Sequence, residues 1–377
     1  MLQQILDGAW TLLTYFGPFI VVVSIVVFVH EYGHFWVARR CGVKVESFSI
    51  GMGKEIFGYT DKHGTRWRYS WLPIGGYVQM YGDADPASFT QDPNAAVMTA
   101  DERSVAFFAQ NVWKRIAIIA AGPGANYLFA FLLWFAFVFY MGKPSVPSVI
   151  KSFATVSAAR EAGMQLGDQI VKLNDTPVAS IGEVSKYINT VAKGVPLQVE
   201  FIRGAETMQL QVKPIVDAET TISRLGINGI KVYSPIGLGG AVSEAATTVY
   251  SITTETLSVI GQMIAGTRSA EELGGPLRIA KLSGDVFKEQ DAYTIINFFV
   301  LISVSLGLVN LFPIPLLDGG HIFFYLIEAV RRRPLPSRVQ EYAARIGFGT
   351  VLFIIGFTLW NDLVSLKILP YLKTLFS

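Results

Sequence analysis

Long apolar stretches without a charged residue dominate the pattern of the chain. Three of them cover residues 8–30, 116–142 and 292–317, and a shorter one covers 346–361. Each of the first three exceeds the roughly 20 residues that cross the hydrocarbon of a bilayer as a helix. The pattern predicts a polytopic α-helical membrane protein with about four transmembrane helices. Since no basic flank precedes the first stretch, we expect it to be retained rather than cleaved.

Basic residues near the ends of these stretches predict the orientation. Arg39, Arg40 and Lys44 follow the first stretch, and an arginine-rich loop, 331–345, follows the third. Because cytoplasmic loops carry the excess of Lys and Arg, both regions are expected on the cytoplasmic side. Residues 143–291 and both termini then lie on the outer side.

The cytoplasmic segment 41–112 has the pattern of short strands, with expected strands at 43–50, 66–69 and 77–80 and a loop at 83–102. Unpaired backbone is not tolerated in lipid, so these strands must lie at the interface or against protein. We therefore predict a membrane-associated β-rich segment.

The outer segment divides into two parts. Residues 146–216 combine alternating strands with a helical pattern at 181–192, which is typical of a small α+β domain. Residues 241–266 have helical spacing, which fits either an amphipathic helix on the membrane surface or a helix packed on the small domain. The resulting division of the chain is 1–40, 41–112, 113–142, 146–216, 217–291, 292–333 and 343–370.

Composition supports the membrane class and removes others. The chain is 51% hydrophobic and 16% charged, and its net charge of +2 makes nucleic acid an unexpected partner. A single cysteine, Cys41, excludes an intrachain disulfide, and we expect it to be a small buried residue near a helix end.

The first apolar stretch ends in His30-Glu31-Tyr32-Gly33-His34. Residues four apart differ by about 40 degrees around a helix, so both imidazoles project from one face. This arrangement is typical of a zinc site with a carboxylate placed to take a proton from metal-bound water. Ionisable groups inside a membrane are usually functional.

Asp318 is the candidate third ligand, because it ends the third stretch on the same side as His30. The alternative is an N-cap or interface residue. His321 follows closely, and its spacing favours a capping or supporting role over ligation. His63 is expected in a hairpin turn.

Two prolines, Pro313 and Pro315, precede Asp318 and must break or bend the third helix. Such a break requires surrounding protein or a water-filled cavity, which a hydrolytic site would also need. An ordinary kink is the alternative interpretation. Asn310, just before the break, is a natural hydrogen-bonding partner for a substrate backbone.

With these residues in view, the chain resembles the site-2 protease family of intramembrane metalloproteases, of the bacterial envelope-stress type. The resemblance runs over nearly the whole chain. It rests on the HEYGH motif at 30–34, FSIGMG at 48–53, PIGGYV at 73–78, GPGAN at 122–126 and NLFPIPLLDGG at 310–320.

The resemblance implies one zinc ion per chain, held by His30, His34 and Asp318, with Glu31 as catalytic base. It implies a location in the bacterial inner membrane, with the active site toward the cytoplasm. Substrate binding is implied for a β-hairpin segment, which would pair with an extended substrate strand, and for the helix break. These positions are Ser49, Ile50, Gly51, Met52, Gly53, Asn310, Pro313 and Pro315.

Residues 163–170 resemble the signature loop of a PDZ domain, which places one such periplasmic domain at 146–216. The implied partners are the lipid bilayer and single-span membrane proteins already trimmed by another protease, such as anti-sigma factors or remnant signal peptides. Two rival hypotheses remain open: a polytopic scaffold or metal transporter with a PDZ domain, and a membrane-anchored zincin that cuts soluble substrates.

Overall fold

The computed structural model describes residues 2–83, 97–191, 194–216 and 222–366. The chain forms two compact units: residues 1–135 together with 245–377, and residues 136–244. The α-helices are α1 Leu2–Arg40, α2 Ala100–Val105, α3 Val112–Met141, α4 Ala158–Glu161, α5 Ile181–Val191, α6 Leu238–Ile264, α7 Pro276–Glu289, α8 Ala292–Asn310, α9 Asp318–Arg331 and α10 Ser337–Ser365.

Four helices among the described residues are long and apolar enough to cross a membrane, as the pattern predicted. They are Leu13–Arg40, Val112–Met141, Ala292–Asn310 and Arg338–Ser365. The last begins earlier than the expected 343, and residues 367–370 of the prediction lie outside the described part of the chain. The expected third segment, 292–333, is two helices, α8 and α9, separated by the proline-containing connection.

The segment 41–112, expected on the cytoplasmic side, contains longer strands than the sequence suggested. β1 spans Val45–Thr60 and β2 spans Arg66–Met80. Gly51, Gly53 and Gly75 lie within these strands and adopt positive φ, which allows the strands to bend. Each long strand therefore serves as two shorter ones.

The pairing of β1 with β2 builds four antiparallel rows from two strands. Residues 45–50 pair on one side with 76–80 and on the other with 66–69, and 66–70 also pair with 55–60. The row at 45–50 is thus internal, whereas 76–80 forms one border of the sheet.

Aromatic packing fixes this sheet to the end of α1. The rings of Phe35 and Phe48 meet edge to face with centroids 5.5 Å apart, and Trp67 lies 4.6 Å from Phe48. Phe48 is fully buried. Burying such large rings is the main local driving force for attaching the sheet to the helix.

Three smaller expectations have clear outcomes. The end of the expected loop 83–102 belongs to α2, which begins at Ala100 because Thr99 and Glu102 make a reciprocal capping box, and residues 84–96 of that loop lie outside the described part of the chain. Cys41 follows the last residue of α1 and is half-buried rather than buried. His63 lies in the turn between β1 and β2, where its backbone N–H donates to Asp61 Oδ1 at 2.8 Å.

Residues 136–244 form a small α+β unit. Its main sheet has the order β6-β5-β7-β8, and α5 supplies Val184 and Ile188 to its core. The strands of the unit are β3 Lys143–Ser145, β4 Ser152–Phe153, β5 Gln169–Leu173, β6 Thr176–Pro177, β7 Leu197–Arg203, β8 Glu206–Val212, β9 Ile215–Val216, β10 Ser223–Arg224, β11 Ile227–Asn228 and β12 Val232–Ser234.

The amphipathic segment expected at 241–266 is α6. Thr253 Oγ1 donates to the hydroxyl of Tyr127 on α3 at 3.4 Å. Tyr250, Leu257 and Ile264 remain exposed. These apolar side chains suit contact with lipid at the membrane surface.

Candidate metal centre

The last turns of α1 place two imidazoles on one face. His30 and His34 are 7% and 6% exposed, and their Nε2 atoms lie 3.2 Å apart. His30 is ten positions before Arg40, the last residue of α1. At a rise of 1.5 Å per residue, His30 lies about 15 Å inside the charged end of this apolar helix.

The break between α8 and α9 brings Asp318 to the same point. Its Oδ2 lies 3.0 Å from His30 Nε2 and 3.5 Å from His34 Nε2. The N-cap of α9 is Leu317, and no side chain caps this helix. The N-cap alternative for Asp318 is therefore wrong, and its carboxylate faces the histidines.

Two glycines make this position of Asp318 possible. A Cβ at Gly319 would lie 2.2 Å from the carbonyl oxygen of Leu311, and one at Gly320 would lie 2.4 Å from that of Ile314. Because the first turn of α9 packs directly on the connection, a side chain at either position would push Asp318 away from α1.

The three ligand atoms fit a zinc ion. In a tetrahedral site with bonds of about 2.0–2.1 Å, neighbouring ligand atoms are about 3.3–3.5 Å apart. The observed separations are 3.0, 3.2 and 3.5 Å. Asp318 Oδ2 is buried and, within the part of the chain that the structure describes, makes no hydrogen bond of acceptable geometry despite its short distance to His30. Three ligand atoms that converge in this way can hold a cation. His321 is not a member of this group.

The other nitrogen of each histidine also has a partner. His34 Nδ1 lies 2.9 Å from the carbonyl oxygen of Ile118, and His30 Nδ1 lies 3.4 Å from Asn126 Nδ2. Donation from His34 Nδ1 to Ile118 leaves the Nε2 lone pair of His34 free for a metal. Both partners belong to α3.

Glu31 stands beside the ligands without joining them. It lines the same cavity as His30, His34 and Asp318. A Cβ at Gly76 would lie 3.1 Å from Glu31 Cγ, so the sheet closely approaches this side chain. A free carboxylate next to a three-ligand metal site can exchange protons with a reacting group.

The cavity around these residues has a volume of about 930 Å³. Asn310 and Met52, expected in substrate binding, line it. Pro313 and Pro315 form the connection between α8 and α9, and they are absent from the lining, as are Ser49, Ile50, Gly51 and Gly53.

The sequence interpretation missed a part of the cavity wall. Residues 75–80, the bordering row of the sheet, line it continuously. Ser49 and Ile50 lie in the internal row, and the hydroxyl of Ser49 already bonds Ser70 and the carbonyl of Gly51. The motif PIGGYV at 73–78 was the available signal for the wall.

Charged groups also line part of the cavity. Arg115 forms an ion pair with Glu328 through Nη2 and Oε1, and Asp83 lies in the same lining. Burial raises the pKa of Asp83 to about 7, although the positive charge of Arg115 opposes the rise. The part of the cavity lined by Arg115, Glu328 and Asp83 is therefore polar and suited to water.

This donor set, with a free carboxylate beside it on a long apolar helix, defines a zinc metalloprotease of the HExxH type. The model of peptidase family M50 matches residues 18–354. The chain belongs to this family, the site-2 proteases.

Relatives from bacteria support this assignment. A protein of Agrobacterium fabrum is 38% identical and covers 97% of this chain and 100% of its own length. A protein of Rhizobium meliloti is 36% identical and covers 92% of this chain and 95% of its own length. Both carry the name "putative zinc metalloprotease".

The PDZ domain of an SdrC-like protein of Listeria monocytogenes matches 24% of this chain at 21% identity with a TM-score of 0.19. The PDZ assignment remains a prediction from residues 163–170.

Proposed function

We propose that this protein is an intramembrane zinc endopeptidase. The observation that carries the proposal is the convergence of His30, His34 and Asp318 about 15 Å inside the charged end of an apolar helix. A hydrolytic site at that depth can reach a peptide bond inside or at the edge of the bilayer.

The residues divide the chemistry between them. His30, His34 and Asp318 would hold one zinc ion per chain, which when bound supplies Lewis-acid activation of water and of the scissile carbonyl. Glu31 would accept the proton of the attacking water and deliver it to the leaving nitrogen. Asn310, at the end of α8 and in the cavity lining, would hydrogen-bond the substrate backbone near the scissile bond.

An extended substrate segment would bind along the row 76–80. Within the described residues, the sheet pairing leaves the outer side of this row without a neighbouring strand. Adding a strand there satisfies substrate backbone groups and keeps the scissile segment unwound. The internal row with Ser49 and Ile50 would support that border from behind, while Met52 would contact substrate from the lining.

The proposed substrates are single-span membrane proteins, such as anti-sigma factors or remnant signal peptides, trimmed beforehand by another protease. The site would face the cytoplasmic side of the bacterial inner membrane, with the PDZ domain and both termini in the periplasm. The arginines after α9 support this orientation.

Glu31→Gln tests the function most directly. We expect the variant to retain stoichiometric zinc and to lose cleavage of a membrane-embedded single-span reporter by about 100-fold or more, the usual contribution of a general base. Mass spectrometry of the released products measures the cleavage, and metal analysis measures the zinc.

The same assay separates the rivals. A scaffold or metal transporter has no need of Glu31 for hydrolysis, so unchanged reporter processing in Glu31→Gln would contradict the protease proposal. Efficient cleavage of water-soluble peptides lacking any apolar segment would instead support the anchored zincin with soluble substrates.

A further inference from the structure

Asn126 occupies an unusual position at the crossing of three apolar helices. It belongs to α3 and is completely buried. Its backbone oxygen accepts a hydrogen bond from Ser303 Oγ of α8 at 2.9 Å. A Cβ added at Gly307 of α8 would lie 3.2 Å from the Cβ of Asn126. The side chain is thus confined, with its amide directed toward α1.

The amide meets the nitrogen of His30 that faces away from the ligand group. Asn126 Nδ2 lies 3.4 Å from His30 Nδ1, whereas His30 Nε2 faces Asp318 and His34. The other end of the amide, Oδ1, is buried and makes no hydrogen bond within the described residues. A buried amide oxygen left unpaired costs about 1–3 kcal/mol.

Metal ligation through Nε2 changes the requirement at Nδ1. A neutral imidazole that gives its Nε2 lone pair to a metal carries its proton on Nδ1, which becomes a donor. A donor must face an acceptor, and the two ends of an asparagine amide have nearly the same shape. Turning the Asn126 amide by 180 degrees places Oδ1 against the N–H of His30 and gives the amide oxygen a donor, while Nδ2 takes the position that Oδ1 leaves.

His34 shows the same arrangement with a backbone partner. Its Nδ1 lies 2.9 Å from the carbonyl oxygen of Ile118. Ile118, Gly122 and Asn126 are spaced four residues apart on α3, so they share one face of that helix. One helix thereby supplies an acceptor to each histidine, and Gly122 provides the room between them.

We propose that Asn126 is a positioning residue that accepts a hydrogen bond from His30 Nδ1–H through Oδ1, and so holds His30 in the tautomer and orientation needed to ligate zinc. This inference rests on the proposed metal site and assigns a role to a residue outside the HExxH and LDGG motifs. Outer partners of metal-bound histidines typically contribute about 10–100-fold to metal affinity.

Asparagine, aspartate and leucine, whose side chains have the same number of heavy atoms and the same branching at Cγ, separate this role from packing. Asn126→Asp keeps an acceptor for His30, while Asn126→Leu fills the same space without one. Ser303→Ala is the control, because it removes the contact to the Asn126 backbone and leaves the amide in place. Zinc affinity is measured on the purified full chain by competition with a chromophoric chelator.

We expect Asn126→Leu to bind zinc about 10–100-fold more weakly, and Asn126→Asp and Ser303→Ala to stay within a few-fold of the native protein. Native affinity in Asn126→Leu, or an equal loss in Asn126→Asp, would overturn the proposal. If the native protein binds no zinc, the proposed metal site itself is contradicted.

A second measurement tests a requirement of this role without a variant that must fold. The chain has four histidines, so ¹⁵N NMR of histidine-labelled, zinc-loaded protein can resolve their tautomers. We expect His30 to carry its proton on Nδ1. A zinc-loaded His30 with a bare Nδ1 would leave Asn126 nothing to accept and would exclude the role.

Discussion

Gly122 lies directly against the imidazole of His34: a Cβ added at Gly122 would be 2.2 Å from His34 Nε2. The adjoining contact is equally tight, since a Cβ at Gly33 would lie 2.2 Å from the carbonyl oxygen of Ala121. Small residues on both helices thus allow α1 and α3 to approach closely, as in other apolar helix pairs. The ligand geometry depends on this approach.

Gly122→Ala should therefore weaken zinc binding. The added methyl group cannot coexist with His34 in its present position, so we expect a loss of about tenfold or more, the range seen when ligand orientation is disturbed. Chelator competition measures it. The matched control is Gly124→Ala on the same helix, where nothing lies within 4 Å of the new Cβ. Native zinc affinity in Gly122→Ala would show that His34 can move without cost.

Asp318→Ala should lower zinc occupancy more than any of the outer variants. It removes one of three ligand atoms rather than a supporting hydrogen bond, so the loss should exceed about 100-fold. Metal analysis of purified protein measures the occupancy, with Glu31→Gln as the variant that keeps its zinc. Full zinc retention by Asp318→Ala would remove Asp318 from the ligand set.

Asp362→Ala should destabilise the fold without removing a proposed zinc ligand. Although it lies on the apolar α10, Asp362 is fully buried and caps α7. Its Oδ1 accepts from the N–H of Gly275 at 2.8 Å, and Oδ2 accepts from Leu277 at 2.9 Å and Arg278 at 3.0 Å. Losing these charge-assisted caps costs about 1–3 kcal/mol.

A lower thermal midpoint for Asp362→Ala, with zinc affinity unchanged in the protein that remains folded, checks this expectation. Asp285→Ala removes an exposed carboxylate from α7, the helix that Asp362 caps, and should leave the thermal midpoint unchanged. Equal midpoints for both variants would argue against the capping role.

Asp168 gives residues 136–244 an acid-sensitive contact. Burial alone would raise its pKa, but hydrogen bonds and charge from Arg203, with the N–H of Gln165, outweigh this and hold the pKa below its usual value. The carboxylate is 1% exposed, and its Oδ2 lies 2.7 Å from Arg203 Nη2. Ionised Asp168 therefore favours the folded state.

The unit formed by residues 136–244 should lose stability in acid. The pKa of Asp168 is lower in the folded state than in the unfolded state. Its stabilising effect is therefore complete above the unfolded-state pKa of about 3.9 and is lost as the pH falls through the lower folded-state pKa. Asp168→Asn should weaken the unit at neutral pH and reduce its acid sensitivity. Hydrogen exchange within 136–244 of the full chain measures both effects. Asp175→Asn, an exposed change in the same unit, should alter neither.

The sequence alone predicted a large part of this protein. Uncharged length determines which segments can span a bilayer, and the spacing of His30 and His34 determines that their imidazoles share a face, since both are properties of a helix by itself. The broken third segment followed from Pro313 and Pro315 in the same way. These features need no partner element.

Only the tertiary structure decided which elements meet. The approach of Asp318 to the histidines, the acceptors from α3 and the cavity wall at 75–80 depend on contacts between segments far apart in the chain. Strand lengths were underestimated because Gly51 and Gly75 bend the strands instead of ending them. Periodicity reports one element at a time, whereas the centre depends on packing between α1, α3 and the start of α9, where glycines allow backbone and ligand to touch.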